Sequence, residues 1–361
     1  MELACKQDWD VVRQRYEAWW AGEILDRPMV KVTAPKRPPD PADAAPEDHD
    51  GLYDWFTKPE LVFPRLMRSV ERTYWGGDAF PLVFPFSCSL PAIEAAYLGC
   101  PYDVVPGSNT GWADPCISNW EDRAPIVVDP DNSWWQITQQ LLDEGARQGV
   151  GNYVVGIPDL QGGGEIIALM RGNEELAMDL ILADKDEIKA ALREEVQAWF
   201  CYYQTCFEII HRHMDGYVDW LGAWSEVPCV TVENDFSGMI STQMFEEFFM
   251  PSVAQQCEWV ERTMYHLDGP DAVRHTDTLL ALSTLDGIQW VPGAGAPPCS
   301  TWIPLLQRIQ RAGKLLYLNV EPWEVSILLE ELAPGGVILD THCTSVEEAD
   351  ALLEMVQRMY R

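Results

Sequence analysis

The sequence predicts an α/β protein, a (β/α)8 TIM barrel, and three observations carry that reading. From residue 264 onward β-like and helical runs alternate four times, with strands at 264–268, 287–291, 315–320 and 336–341 and helices at 271–282, 302–312, 323–332 and 346–359. Four strand-then-helix units in succession require parallel strands joined by right-handed crossovers. Four earlier β-like runs, 29–34, 79–84, 153–157 and 217–222, bring the strand count to eight. The chain has 361 residues and 47% hydrophobic content, enough for one such domain without disulfide staples. Residues 1–361 are therefore read as a single barrel domain, with an N-terminal helical extension over 1–28 and long loops at the barrel mouth.

Each element has its own signal. Val12, Tyr16, Trp19 and Trp20 recur at helical spacing, which predicts a helix over 9–23 packed across the barrel floor. Residues 29–34 alternate between Pro28 and Pro35 as a first strand. Residues 36–50, rich in Pro, Ala and Asp, have no period and are read as a long loop, before helical spacing resumes over 59–74. After the strand at 79–84, residues 87–111 are read as loop and short helix. A helix over 134–148 leads into the strand at 153–157. Asn173 is taken to cap one helix, and a long helix follows over 184–213. A further β stretch at 229–233 adjoins the run at 217–222, and Ser241 is expected to cap a helix with Phe245, Phe248, Phe249, Val253 and Cys257 on its apolar face.

Charge and composition exclude several function classes. The 57 acidic against 25 basic residues give a formal net charge of −32, so the field of the protein repels nucleic-acid backbones and anionic membrane surfaces. An anionic substrate would need a local basic cluster, for which Lys31, Lys36 and Arg37 are the candidates. The N-terminus lacks the apolar core of a secretory signal, and no uncharged run is free of the prolines that break a spanning helix. The ten cysteines show no CxxC pairing, which fits reduced thiols and a cytoplasmic protein. Exposed Trp19, Trp20, Trp134 or Trp135 would mark a homodimer surface.

In a barrel of this kind the chemistry sits at the C-terminal ends of the strands. The polar residues placed there are Asp159 and Gln161, Glu233 and Asp235, His266 and Asp268, Gln289, Asn319 and Glu321, and Cys343. His266 and Asp268 are two apart on a strand and share a face. With Cys343 they would offer nitrogen, oxygen and sulfur to zinc, which accepts all three donors and keeps an open position in catalytic sites. A lone strand histidine is otherwise a hydrogen-bonded packing residue, and a lone cysteine a buried inert one. Asp340 and His342 should point opposite to Cys343, and so away from the site. The cluster Gln161-Gly162-Gly163-Gly164 between strand and helix reads as a loop at the mouth or, secondarily, as a phosphate cradle, although it lacks the spacing of the known phosphate-binding loops.

Three segments, Asn234-Asp235-Phe236-Ser237-Gly238-Met239-Ile240-Ser241-Thr242-Gln243-Met244-Phe245-Glu246-Glu247-Phe248, His266-Leu267-Asp268-Gly269-Pro270 and Ile288-Gln289-Trp290-Val291-Pro292-Gly293-Ala294-Gly295, together with the ending over 339–353, resemble the uroporphyrinogen decarboxylase superfamily. The similarity is clearest from about residue 215 onward. The decarboxylases of that superfamily use an aspartate just after an early strand, and Val83-Phe84-Pro85-Phe86-Ser87-Cys88-Ser89-Leu90 contains none. The resemblance therefore points to the corrinoid-linked methyltransferase branch, whose members bind zinc through a His-x-Cys pair and a distant Cys. His266 matches the first position and Cys343 the last, while Asp268 stands where the middle Cys would be.

What the resemblance implies is a metal-dependent methyltransferase that takes a methyl group from a corrinoid, carried on a partner protein, or from another donor, and acts on a small molecule. Asp235 or Glu233 would be the general base or an extra ligand, and Gln161, Gln289, Trp290, Asn319 and Glu321 would contact the substrate. The alternatives are a decarboxylase-like enzyme, a glycoside hydrolase using Glu233 and Glu321 with some of the sixteen tryptophans as sugar platforms, and a non-catalytic binding barrel.

Overall fold

The computed structural model describes residues 2–85, 92–108 and 110–360. In chain order its strands are β1 (Met29–Pro35), β2 (Thr73–Gly77), β3 (Leu82–Val83), β4 (Tyr102–Val105), β5 (Thr110–Ala113), β6 (Val154–Val155), β7 (Tyr217–Val218), β8 (Trp224–Ser225), β9 (Cys229–Glu233), β10 (Arg262–Asp268), β11 (Gly287–Val291), β12 (Leu315–Asn319) and β13 (Val337–His342). Seven of them form a mostly parallel sheet in the order β2-β1-β13-β12-β11-β10-β9, and helices fill most of the connections.

The four expected strand-helix units of the C-terminal part are present, and the helix Val346–Met359 has the expected bounds. β1 pairs in parallel with β13, so the first strand joins the last. The expected helix over 271–282 is broken into Gly269–Ala272, a tight turn and Thr276–Leu280. Ser241 caps its helix through Met244 N at 3.2 Å, and all five residues of the expected apolar face are buried.

The earlier strands are shorter than expected. β3 lies between Pro81 and Pro85, and proline has no N–H to give to a ladder. β7 stops at Val218, and the chain turns at once, with Gly222 at a φ of 80° and its N–H on Asp219 O. Hydrogen bonds still link these pieces: Val154 N to Pro81 O at 2.8 Å, Gly156 N to Val83 O at 3.0 Å and Ile157 N to Val218 O at 2.9 Å.

Other elements depart from the sequence reading. The antiparallel strand β2 and the hairpin β4–β5 were not anticipated. The loop over 36–50 contains a 3-10 turn at Pro41–Asp43 and ends in the helix His49–Thr57, which Asp48 caps through Gly51 N. Asn173 is the first helical residue rather than the cap, a place taken by Gly172. Residues 86–91, on which part of the missing-aspartate argument and of the loop reading falls, lie outside the described residues.

The alternation of the strands separates two cores. On one face Met29, Met264, Leu315, Tyr317 and Ile338 pack with Phe80 and with Trp9, Val12, Tyr16 and Trp19 of the N-terminal helix Trp9–Trp20. On the other Val30, Val32, Ile288, Trp290, Leu316, Leu318, Val337 and Leu339 meet the surrounding helices. Fully burying one such side chain contributes about 1.5–3 kcal/mol, so both faces are strongly specified. The N-terminal helix thus covers the inner face of the sheet, as its apolar spacing predicted. Among the described residues no helix is long and apolar enough to cross a membrane.

Candidate metal centre

Register brings the first functional groups together. Glu233 of β9 pairs with His266 of β10, and His266 with Gln289 of β11, so their side chains share the inner face. His266 Nδ1 lies 2.6 Å from Gln289 Oε1. An amide oxygen only accepts, so the imidazole donates from Nδ1, and in the neutral ring the lone pair is then on Nε2. That nitrogen is 3.9 Å from Asp235 Oδ1. Asp235, His266 and Asp268 each offer one ligand atom, and the three atoms lie within 4.8 Å of one another. The edge of Trp220 closes one side of the imidazole, with ring centroids 5.3 Å apart.

The loops that end the strands complete the arrangement. Asp235 opens the 3-10 turn Asp235–Met239, which Glu165 anchors by accepting Phe236 N at 2.8 Å. Gly293 adopts a φ of 83°, and a Cβ there would lie 3.7 Å from Asp268 Oδ1 and 3.5 Å from Gly269 Cα, so the loop passes close beside the carboxylate.

Further carboxyl groups stand behind this trio. Burial pushes Asp159 and Glu165 up to about 7, with nearby carboxylates adding to the effect, and pushes Asp219 up to about 6. Glu233 is raised well above the usual range by burial and then by Asp159, Asp235 and Glu165, while the Gln161 amide opposes the shift. Asp235 is raised by burial, opposed by His266. Asp159 Oδ1, Gln161 Oε1, Glu233 Oε1 and Asp268 Oδ1 are buried atoms with no hydrogen-bond partner. Buried polar atoms are ordinarily paired, so unsatisfied oxygens beside a free imidazole nitrogen are what a cation site would leave.

Asp268 also borders a cavity of about 740 Å³ over the ends of β10 to β13 and β1. Asn319 and Glu321 line it, as placed by the sequence reading.

Several sequence-derived assignments are corrected. Cys343 is not part of the cluster: it is fully buried in the outer core with Val337 and Leu339, and burial pushes its thiol up to about 11. Trp290 is likewise fully buried on the outer face, its ring 4.9 Å from that of Trp302, so it cannot line a substrate site. Asp340 and His342, expected to point away, face the cavity instead. His342 Nδ1 lies 3.0 Å from Thr33 Oγ1, its register partner across β1 and β13. Asp340 and His342 do point opposite to Cys343, but it is they that lie at the mouth and Cys343 that lies in the outer core. Val337, Leu339 and Cys343 are one apolar register, and that was the available signal.

The expected basic cluster does not form. Lys31 is held at 2.7 Å by Asp340 and donates to Tyr317 Oη and Gly222 O, while Arg37 pairs with Glu71 at 3.2 Å. The glycine cluster does not offer a phosphate cradle either. Gly162 N is bound by the Glu94 carboxyl at 3.0 Å and Gly163 N by that of Glu195, both fully buried. Trp19 and Trp135 are buried and mark no subunit surface.

Comparison with known proteins finds no family model that matches the chain, and no match among curated proteins.

Proposed function

We propose that the strands close as a (β/α)8 barrel and that the chain is a metal-dependent methyltransferase acting on a small molecule, with a corrinoid-bearing partner protein as methyl donor. The observation that carries the metal dependence is His266 Nε2, left open by the Gln289 contact at Nδ1 and set beside the carboxylates of Asp235 and Asp268. The choice of methyl transfer rests on the sequence resemblance in the segments that supply those three residues.

The residues fit a divalent ion. One imidazole nitrogen and two carboxylate oxygens form a donor set zinc accepts, and without a thiolate the set is harder and suits manganese or iron as well. His266, Asp235 and Asp268 would hold the ion. When bound, it supplies Lewis acidity that makes an acceptor thiol or water anionic near neutral pH.

The protein's own groups do the rest. Gln289 fixes the imidazole tautomer and orientation. Glu233, kept protonated by its neighbours, is a proton donor beneath the ligands, and Asn319 and Glu321 contact the substrate in the cavity. Of the two roles open to Asp235, general base or extra ligand, its place beside His266 and Asp268 favours the ligand.

The test is metal analysis of protein purified without chelator, together with the spectral change that accompanies demethylation of methylcobalamin. Wild type and Cys343→Ala should retain stoichiometric metal, and His266→Ala should lose both metal and demethylation. Absence of metal from the wild type would end this reading.

A further inference from the structure

Two cysteines without any spacing signal in the sequence come together at the base of the β4–β5 hairpin. Gly99, at a φ of 95°, ends the helix Ile93–Tyr97, and Cys100 N donates back to Ala95 O at 2.9 Å. The hairpin ladder pairs Tyr102 with Ala113 and continues through Asp114 N to Pro101 O at 2.8 Å, which carries the returning strand past Cys100. Cys116 N and Ile117 N then both donate to Met170 O at 2.8 Å. Hydrogen bonds thus hold the backbone at both cysteines, and the Cys100 and Cys116 Sγ atoms meet at 2.6 Å.

The two thiols differ in a way that sets an order of reaction. Cys100 is buried in the outer core, whereas Cys116 is exposed. The S–H of Cys100 donates to Cys116, which lowers the Cys116 thiol below its ordinary value, and the same contact together with burial raises Cys100. A thiolate is the attacking form, so the reactive sulfur is the one that solvent reaches, and the sulfur that resolves the intermediate lies behind it. Of the exposed cysteines among the described residues, Cys5, Cys116 and Cys201, only Cys116 has a second sulfur beside it.

We propose that Cys100 and Cys116 are a site of reversible disulfide formation by exchange with a small-molecule disulfide. The Cys116 thiolate attacks one sulfur of that disulfide, the S–S bond breaks, and the other half leaves as a thiolate that takes up the proton Cys116 has lost. Cys100 then gives its proton to solvent and attacks Cys116 Sγ, the mixed S–S bond breaks, and the second small thiolate leaves and is protonated. The protein gives up two electrons and two protons, and the small disulfide becomes two thiols. The bond would join residues 16 apart across the foot of the hairpin. It would tie the helix that bears Glu94, whose carboxyl holds Gly162 N, to the segment held on Met170 near the end of helix Gly163–Arg171. Two supports of the glycine cluster would then be stapled together.

The experiment treats the reduced full chain with oxidised glutathione, quenches with acid, alkylates the remaining thiols and maps the non-reduced peptides by mass spectrometry. A Cys100–Cys116 link should be the main product, and dithiothreitol should return both thiols. Cys100→Ser should stop at a mixed disulfide of glutathione on Cys116, and Cys116→Ser should leave Cys100 unmodified, because it is buried. The linked wild type should melt a few degrees above the reduced form of the same preparation, since the bond restricts the unfolded chain. That comparison needs no variant to fold. A lasting glutathione adduct on wild-type Cys116, a link from Cys116 to any cysteine other than Cys100, reaction of Cys116 no faster than that of Cys5 and Cys201, or no gain in melting temperature would overturn the assignment.

Discussion

Two pairs of carboxyl groups sit in this protein at opposite extremes of environment. Glu94 and Glu195 have no exposed surface, lie close to one another, and each grips one glycine N–H. Burial pushes Glu94 up to about 8 and raises Glu195 well above the usual carboxyl range, with Glu94 adding to the shift. Asp268 instead borders an open cavity, Asp235 is exposed, and both lie beside the His266 imidazole. The first pair can hold backbone and little else. The second can receive something from outside. Acidity alone distinguishes neither, and what separates them is whether a route to solvent and a non-acidic donor are present.

The comparison breaks most visibly at the buried pair. Glu195→Ala leaves the Gly163 N–H without a partner and takes from Glu94 its carboxyl neighbour, at an expected cost of about 3 kcal/mol in urea unfolding. Metal content per folded molecule should not change. If Glu195→Ala instead removed metal and left stability intact, the two pairs would have been assigned the wrong way round.

At the open pair the effects should reverse. Asp268→Asn should weaken metal binding by about 100-fold or more, and Gln289→Ala by roughly 10–100-fold, through loss of the tautomer lock. The metal-free stability of both should stay close to wild type, as competition with a chromogenic chelator and thermal melts would show.

Stability against pH probes the buried acids as a group. Asp159, Glu165 and Glu94 bind their protons more tightly folded than unfolded, with folded values of about 7, 7 and 8. Between about pH 4 and those values the native state carries more protons than the unfolded chain, so stability must fall as pH rises. Each group removes roughly 1.4 kcal/mol per pH unit inside its window. Melting temperatures should therefore decline from pH 5 to pH 8, and a flat profile would mean that these carboxyls are not desolvated.

The smallest effect is expected at Cys343. Cys343→Ala should cost about 1 kcal/mol by loss of packing, with no change in metal content. Metal loss in that variant would restore the thiolate as a ligand.

The two halves of the chain differ in how much of this was legible. The C-terminal strands are continuous, their helices are long enough to show a period, and their order was read correctly. In the N-terminal part proline shortens β3, and β2, β4 and β5 are short strands in which a period has too few residues to register. At the site, His266, Asp268 and Asp235 were legible as polar residues ending strands. Which face is inside was harder, because alternation fixes only that neighbours point apart. The sheet is read by both cores at once, and the apolar register through Val337, Leu339 and Cys343 outweighs the chemical appeal of a thiol. The role of Gln289 as partner of His266 needed cross-strand register, which a single strand does not contain.

The same alternation has an evolutionary consequence. Odd and even positions of β10 meet different physical demands, since Leu267 packs in the helix layer and His266 and Asp268 face the mouth. Donor identity can therefore drift without disturbing the scaffold. Asp268→Cys, a single replacement on the inner register, would place a His-x-Cys pair at the mouth while leaving every residue that packs against the helices as it is.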